Sequence, residues 1–286
     1  MDTEQEHGHP KRFFKGWAKP GPIVSSAAAA SVIIEPGETF DAISGDFRIF
    51  QLKKGHRFST DDVLTAWHGT SWCPRAERVL DLGTGIGSVA MIAAWRLPGA
   101  RFVAVEAQEE SLKLARKSVQ YNGLEERCEL RAGDFRERGV IAASERFDLV
   151  LGSPPYFPLS AGIHGDHPQK VACRFEARGT IADYCAVAAR HLDWGGVFAC
   201  VFPDDQRGRV GKAAQDSELV IVRRRPVVLK EGEAPLLCLF AMVRSNHLPV
   251  WFRGRTWVEP PLTIRTKEGQ VHPEYMAVKL AVGFPP

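Results

Sequence analysis

The chain of 286 residues carries 44% hydrophobic and 25% charged residues, a composition typical of a folded globular protein and unlike that of a disordered or fibrous one. Its 37 Lys and Arg nearly balance 34 Asp and Glu, so the net charge of +3 does not by itself indicate a nucleic-acid binder, although the basic excess lies in residues 151–286. Six separated cysteines without a C-x-x-C pair argue against a disulfide scaffold or zinc cluster, and no apolar run is long enough to span a membrane.

The amino-terminal part of the chain is expected to lie outside the core. Residues 1–39 show no sustained helical or strand period, and we interpret them as a flexible, basic and Ala-rich extension. Within them, Ile23–Ile34 follows basic residues and loosely resembles a signal peptide, but it has no clear cleavage site. Residues 40–286 are expected to form a single domain, with a hairpin and a helix in 40–77 and the core in 78–286.

The helix before the core is predicted in the segment STDDVLTAWHG. Ser59 or Thr60 is its expected N-cap, because hydroxyl side chains accept hydrogen bonds from the first free backbone N–H groups of a helix. Gly69 is the expected stop, since glycine commonly ends helices.

Strands and helices alternate from Arg78 onward. The apolar runs and helical stripes predict this order of segments: RVLDL, SVAMIAAWRL, RFVAVE, EESLKLARKSVQY, CELRA, FDLVLG, IADYCAVAARHL, GGVFACVFP and DDQRGRVGKAAQDS, then two β-rich segments. Such alternation predicts an α/β fold in which a mostly parallel sheet carries helices on both faces.

A glycine loop joins the first core strand to its helix. Asp81-Leu-Gly83-Thr84-Gly85-Ile-Gly87 has glycines that permit a tight turn and let a ligand approach bare backbone beside a helix N-terminus. The spacing is G-x-G-x-G and not the G-x-G-x-x-G of the dinucleotide fingerprint. Taken alone, the loop is also compatible with a structural turn of any α/β protein.

Two further acids stand at strand ends. Glu106 closes the second strand, where an acidic residue can bind both hydroxyls of a ribose, and Asp134 follows the third, where it can contact a purine ring. Because carboxyl ends of parallel strands meet at one edge of a sheet, Asp81, Glu106 and Asp134 are expected to face the same crevice.

The fourth strand runs into Ser153-Pro154-Pro155-Tyr156-Phe157. Two prolines cannot continue a strand, so this segment predicts a rigid turn beside the crevice. Ser153 Oγ and the Pro154 carbonyl can accept hydrogen bonds from a planar amino group, and Tyr156 offers a face for stacking a ring. The alternative is a proline-stiffened loop with a buried tyrosine.

Residues 78–156 resemble the core of class I S-adenosylmethionine-dependent methyltransferases. The resemblance implies a Rossmann-like fold with a seven-stranded sheet and S-adenosylmethionine as cofactor. It places Asp81, Gly83, Thr84, Gly85 and Gly87 around the methionine part, Glu106 at the ribose and Asp134 by the adenine, and adds Ala107, Phe135 and Ser153 to the cofactor-binding set. Carboxylates suit the cationic sulfonium and amine of this ligand better than they would suit a pyrophosphate.

The S-P-P-Y turn resembles the [N/D/S]-P-P-[Y/F/W] motif of enzymes that methylate adenine N6, cytosine N4 or glutamine N5. The resemblance implies that Ser153, Pro154, Pro155 and Tyr156 are catalytic and that Phe157 contacts the substrate. Most RNA adenine and glutamine enzymes of this kind have Asn where this chain has Ser153, which is familiar from DNA cytosine-N4 enzymes. Methylation of DNA, protein glutamine or a small molecule therefore stays an alternative.

The flanks resemble the bacterial tRNA adenine-N6 methyltransferases that act beside the valine tRNA anticodon. The segments KKGHRFSTDDVLTAW and HPEYMAVKLAVGF carry the resemblance, which implies that Arg57, Thr60 and Asp61 lie near the methionine moiety. Ordinary helix capping is the alternative for Thr60 and Asp61.

The partner expected from this resemblance is RNA, most simply tRNA, with a monomer acting in the cytoplasm. Arg223, Arg224 and Arg225 are nominated as substrate contacts, with a charge-protected edge strand as the alternative. No metal is expected, because His56 and the cluster His164, Asp166 and His167 match no common ligand spacing. A protein that binds RNA without catalysis is a further hypothesis, against which the intact glycine loop argues.

Overall fold

The structure is a computed structural model that describes residues 16–25, 32–157, 169, 176 and 179–286, and the backbone of 13–14. Two short antiparallel hairpins precede the core. The first joins β1 (Phe13–Phe14) to β2 (Trp17–Ala18), and the second joins β3 (Glu38–Ala42) to β4 (Arg48–Leu52).

One nine-stranded sheet forms the centre of the described part of the protein. Its strands are β5 (Arg78–Leu82), β6 (Arg101–Glu106), β7 (Cys128–Ala132), β8 (Phe147–Gly152), β9 (Leu192–Pro203), β10 (Leu219–Lys230), β11 (Pro235–Arg244), β12 (Trp257–Val258) and β13 (Leu262–Arg265). The order is β12-β10-β11-β9-β8-β5-β6-β7, and β13 pairs with β10 beside β12. The expected seven-stranded sheet is thus present as the run from β10 to β7, with two short strands added at β10.

Strand direction changes only near β11 among the described strands. The neighbours from β9 to β7 run parallel, β11 runs antiparallel to β9 and β10, and β12 and β13 run parallel to β10. The carboxyl ends of β5, β6, β7 and β8 therefore meet at one edge of the sheet.

Helices cover both faces of this sheet, as the alternation predicts. They are α1 (Thr60–Trp72), α2 (Ser88–Arg96), α3 (Glu109–Tyr121), α4 (Ile181–His191), α5 (Arg207–Asp216) and α6 (Pro273–Ala281). In β9, Val197, Ala199 and Val201 pack into the cluster with α1, α2, α3 and α6, whereas Phe198, Cys200 and Phe202 pack into the cluster with α4 and α5. Side chains that alternate across a strand thus fill two cores.

Helix α1 differs from its prediction at its end. Ser59 is the N-cap, and Asp62 completes a capping box, but the helix continues past Gly69 to Trp72. A Cβ on residue 69 would lie 2.3 Å from Leu151 Cδ2 and 3.2 Å from Ala199 Cβ. The prediction of Gly69 as a stop is therefore wrong: this glycine lets α1 approach the sheet closely.

The described parts of the predicted extension contact the rest of the protein. Val24 and Val32 pack against the core cluster, and Lys117 of α3 donates to the Ile33 carbonyl at 3.0 Å and to Glu38 at 2.8 Å. The predicted boundary after residue 39 falls inside β3. Within the described residues, no helix has the length and apolar character needed to cross a membrane.

Candidate active site

A cavity of about 510 Å³ opens at the carboxyl ends of β5, β6 and β8. The first turn of α1 and Tyr184 of α4 also line it. Most of the residues predicted from the sequence meet here: Arg57, Asp61, Asp81, Gly83, Thr84, Gly85, Glu106, Ala107, Asp134, Phe135, Ser153, Pro154, Pro155, Tyr156 and Phe157. Residues separated by about a hundred positions in the chain therefore share one site.

The glycine loop needs its glycines for two reasons. Gly83, Gly85 and Gly87 have φ of 64°, 58° and 88°, in the left-handed region that side chains disfavour. A Cβ on Gly83 would also lie 2.4 Å from the Tyr184 hydroxyl oxygen. Gly87 is the N-cap of α2 and does not line the cavity.

Glu106 holds the loop from the neighbouring strand. Its Oε2 accepts a hydrogen bond from the Gly85 N–H at 2.8 Å, and its Oε1 accepts from the Gln108 N–H at 2.6 Å. The side chain is buried, yet each carboxylate oxygen keeps a second lone pair for a ligand. Glu106 is thus positioned between the loop backbone and the cavity.

Two buried carboxyl groups lie on the other side of the loop. Burial raises the pKa of Asp81 to about 7, although a 2.6 Å hydrogen bond from the Thr84 hydroxyl opposes this shift. Burial likewise raises the pKa of Asp62 to about 7, and the two carboxyl groups raise each other's free energy of ionisation when both are charged. A cationic ligand in the cavity would favour the ionised forms of both.

Asp134 and Phe135 form the next part of the wall. Asp134 pairs with Arg136, whose Nη2 lies 2.5 Å from Asp134 Oδ2. Phe135 is buried and packs edge-on against Tyr184, with ring centroids 4.7 Å apart. An apolar wall next to a carboxylate can accommodate a heteroaromatic ring that carries hydrogen-bond donors.

The S-P-P-Y turn lies opposite the glycine loop. Pro154 and Pro155 are buried, and the Tyr156 hydroxyl donates a hydrogen bond to Asp61 Oδ2 at 2.5 Å. The Ser153 side chain also hydrogen-bonds this hydroxyl, and burial and the Asp61 charge raise the pKa of Tyr156. The Tyr156 ring meets Phe202 edge-on, at 5.6 Å between centroids and 83° between planes.

The residues predicted upstream of the core have mixed positions. Arg57 lines the cavity, but its guanidinium donates to Thr39 Oγ1 at 2.9 Å and pairs with Asp41 at 3.0 Å. The Thr60 side chain hydrogen-bonds Tyr275 of α6 and lies outside the cavity lining.

The structure places the three nominated arginines away from the cavity. The Arg223 guanidinium lies 3.7 Å from the Trp72 ring centroid and 4.1 Å from that of Trp257, and it pairs with Glu259 at 2.8 Å. Arg225 donates to the Pro260 carbonyl. Because β10 runs in the same direction as β9, its amino-terminal half, which holds these arginines, lies toward the edge opposite the cavity.

Several lining residues were missed from the sequence, among them Asp62, Ser88, Gln108 and Tyr184. Tyr184 had one usable signal, because a Cβ on Gly83 or Gly152 would collide with its ring or hydroxyl. No group of three metal-ligating side chains is assembled within the described residues. His164, Asp166 and His167 lie outside those residues.

Comparison with known proteins agrees with this arrangement. A family model described as a methyltransferase domain matches residues 75–182. The curated tRNA1(Val) (adenine(37)-N6)-methyltransferase of Bacteroides thetaiotaomicron is 31% identical over 203 residues, which are 70% of this chain and 82% of that protein. The protein of the same name from Tolumonas auensis is 27% identical over 238 residues, covering 81% and 92%.

Solved structures show the same fold. The crystal structure of a predicted O-methyltransferase, Atu636 from Agrobacterium tumefaciens, superposes with a TM-score of 0.60 at 18% identity, covering 79% of this chain and 98% of that one. This likeness confirms the expected Rossmann-like methyltransferase fold. Together with the sequence relatives, it shows that the chain belongs to the methyltransferase family whose curated members are named tRNA1(Val) (adenine(37)-N6)-methyltransferases.

Proposed function

We propose that this protein transfers the methyl group of S-adenosylmethionine to the N6 amino group of a flipped-out adenine in tRNA. One observation carries the proposal: a single cavity joins a carboxylate-rich glycine loop to the rigid S-P-P-Y turn. The first feature suits a cationic cofactor and the second suits an aromatic ring with an amino group. Methyl transfer needs the two in one cavity, because donor and acceptor must meet in line.

The cofactor half fits S-adenosylmethionine in size and charge. A cavity of about 510 Å³ lies in the range of small-molecule sites. Asp81 and Asp62 supply the negative charge that a sulfonium and an ammonium require, and Glu106 offers oxygens to ribose hydroxyls. Asp134 and Phe135 form the wall proposed for the adenine ring.

The acceptor half is proposed to hold the target base. When bound, S-adenosylmethionine supplies a methyl group activated by the positive charge on sulfur. The Pro154 carbonyl and Ser153 Oγ accept the two amino hydrogens and so direct the nitrogen lone pair at that methyl group, while the Tyr156 face stacks on the ring. As the new N–C bond forms, the C–S bond breaks, and the amino group then loses one proton.

Adenine in tRNA is the acceptor we favour, because the curated relatives are named for it. By the same relationship, we propose the base at position 37 of tRNA1(Val) as the target and the cytoplasm as the location. Ser153 is shorter than the Asn expected at this position and can donate as well as accept. A changed acceptor is therefore an explicit outcome of the test.

The test is incubation with methyl-labelled S-adenosylmethionine and, separately, total tRNA, ribosomal RNA, duplex DNA or a protein extract, followed by mass spectrometry. We expect label as N6-methyladenosine in tRNA, and its loss from a tRNA1(Val) transcript in which adenine 37 is replaced by guanine. Tyr156→Ala should abolish transfer and retain cofactor binding. Label in N4-methylcytosine, DNA or protein would refute the acceptor, and transfer by Tyr156→Ala would refute the stacking role.

A further inference from the structure

Three polar side chains of the cavity form a hydrogen-bonded chain. The Tyr156 hydroxyl donates to Asp61 Oδ2 at 2.5 Å, across 95 positions of sequence, and the Ser153 side chain hydrogen-bonds the same hydroxyl. All three residues line the cavity. The chain therefore connects the first turn of α1 to the first residue of the S-P-P-Y turn.

The direction of this chain follows from counting protons. A tyrosine hydroxyl has one proton, and here the short bond commits it to a carboxylate oxygen, which is a strong acceptor. The tyrosine oxygen can then only accept from Ser153, whose own single proton is thereby used. The Ser153 oxygen is left with lone pairs and no free proton, so toward the cavity it is an acceptor.

This polarity bears on the serine itself. A free serine hydroxyl rotates and can present a proton or a lone pair, whereas an amide oxygen can only accept. A proton presented by Ser153 would oppose the N–H of an incoming amino group. Committing that proton to Tyr156 removes the conflict.

We propose that Asp61 is a positioning residue that acts through the Tyr156 hydroxyl to make Ser153 an obligate hydrogen-bond acceptor for the target amino group. The inference rests on the proposed function, because it assumes an amino acceptor. It also revises the role of Asp61, which the resemblance assigned to the methionine moiety. The carboxylate is held for this task by helix α1, whose N-cap Ser59 accepts a hydrogen bond from the Asp61 N–H at 3.2 Å.

The test uses substitutions that cut the chain and one that makes it unnecessary. Tyr156→Phe keeps the ring but removes the hydroxyl, and Asp61→Ala removes the final acceptor. Each should lower single-turnover methyl transfer at saturating cofactor by about 10- to 100-fold, as expected for a misdirected reacting group. Asp61→Asn keeps an acceptor oxygen and should retain transfer.

Rescue separates positioning from a general structural role. Ser153→Asn places an amide oxygen where the serine oxygen lies, and this oxygen needs no help from Tyr156. Combined with Tyr156→Phe or with Asp61→Ala, it should restore most of the lost rate, while the calorimetric cofactor affinity stays unchanged in every variant. Exposed Asp216→Ala, on α5, is the matched control for loss of an aspartate.

Failure of this inference is distinguishable from failure of the proposed function. Absence of rescue in an active enzyme, or a loss of cofactor affinity in Asp61→Ala with normal transfer by Tyr156→Phe, would overturn the inference alone. If the wild type methylates no nitrogen acceptor, the proposed function fails. The chain is then tested by carbon NMR of ring-labelled tyrosine, since the protein has 4 tyrosines. An unchanged Tyr156 signal in Asp61→Ala would show that the tether is absent.

Discussion

Replacing Asp81 with asparagine should stabilise the cofactor-free protein at high pH. Burial is the main reason that the pKa of Asp81 lies at about 7 and not at its ordinary 3.8. In the unfolded chain the carboxyl group releases its proton near pH 4, whereas in the folded protein it does so near pH 7. The folded state therefore binds more protons between these values, and its stability falls as the pH rises from about 4 to about 7.

The size of the effect follows from the shift. One pKa unit corresponds to roughly 1.4 kcal/mol, so ionised Asp81 costs the folded protein at most about 4 kcal/mol above pH 7. An asparagine at this position avoids that cost and keeps an oxygen for the Thr84 hydroxyl, but it adds an amino group that also needs a partner. We therefore expect a net gain of about 1–3 kcal/mol at pH 8, which raises the melting temperature by about 2–4 °C per kcal/mol.

Thermal unfolding of Asp81→Asn and wild type at pH 5 and pH 8 measures this difference. The gain should appear at pH 8 and shrink at pH 5, where the wild-type carboxyl group is protonated. Asp216→Asn, at an exposed position of α5, is the matched control and should change little at either pH. Equal or lower stability of Asp81→Asn at pH 8, with no dependence on pH, would refute the assignment of a buried, proton-binding carboxyl group.

Three other predictions concern packing, the arginines and the cofactor. Gly69→Ala should destabilise the protein by about 1–3 kcal/mol in chemical denaturation, because its Cβ would overlap Leu151. Arg223→Ala should lower the melting temperature through loss of its two tryptophan contacts, yet leave the KM for tRNA unchanged. Cofactor affinity measured by calorimetry should fall as the pH drops below about 7, where Asp62 and Asp81 take up protons.

Each of these has an outcome that contradicts it. Gly211 lies in α5 with open space around it, so Gly211→Ala should stabilise by up to about 1 kcal/mol, and equal effects at both glycines would contradict the packing argument. A raised KM for tRNA in Arg223→Ala would return that residue to the substrate surface. Cofactor affinity that is level from pH 5 to pH 8 would show that neither carboxyl group senses the ligand.

Local patterns predicted the parts of the site that depend on strand ends. Asp81, Glu106 and Ser153 each follow a buried apolar run, and parallel strands bring their carboxyl ends together whatever the loops between them do. The boundaries of β5 and β6 follow from the same runs.

Other features depend on neighbours that no local pattern contains. Gly69 has the same sequence signature whether it ends a helix or lets it approach a sheet, and only the position of Leu151 decides between them. Arg223 follows an apolar segment like a typical edge residue, but its partners Trp72 and Trp257 come from distant parts of the chain. Physical predictions for such residues require the tertiary structure.

The first turn of α1 connects the two halves of the cavity. Asp62 faces the cofactor half, where its charge interacts with that of Asp81, while Asp61 accepts the hydrogen bond of Tyr156 in the acceptor half. The capping bond from the Ser59 N–H to Asp62 Oδ2, at 2.8 Å, fixes both carboxyl groups relative to the helix axis. A ligand that draws Asp62 toward itself therefore acts on the same turn that orients Tyr156. This arrangement explains why two adjacent aspartates, which repel each other when ionised, are held together at the start of one helix.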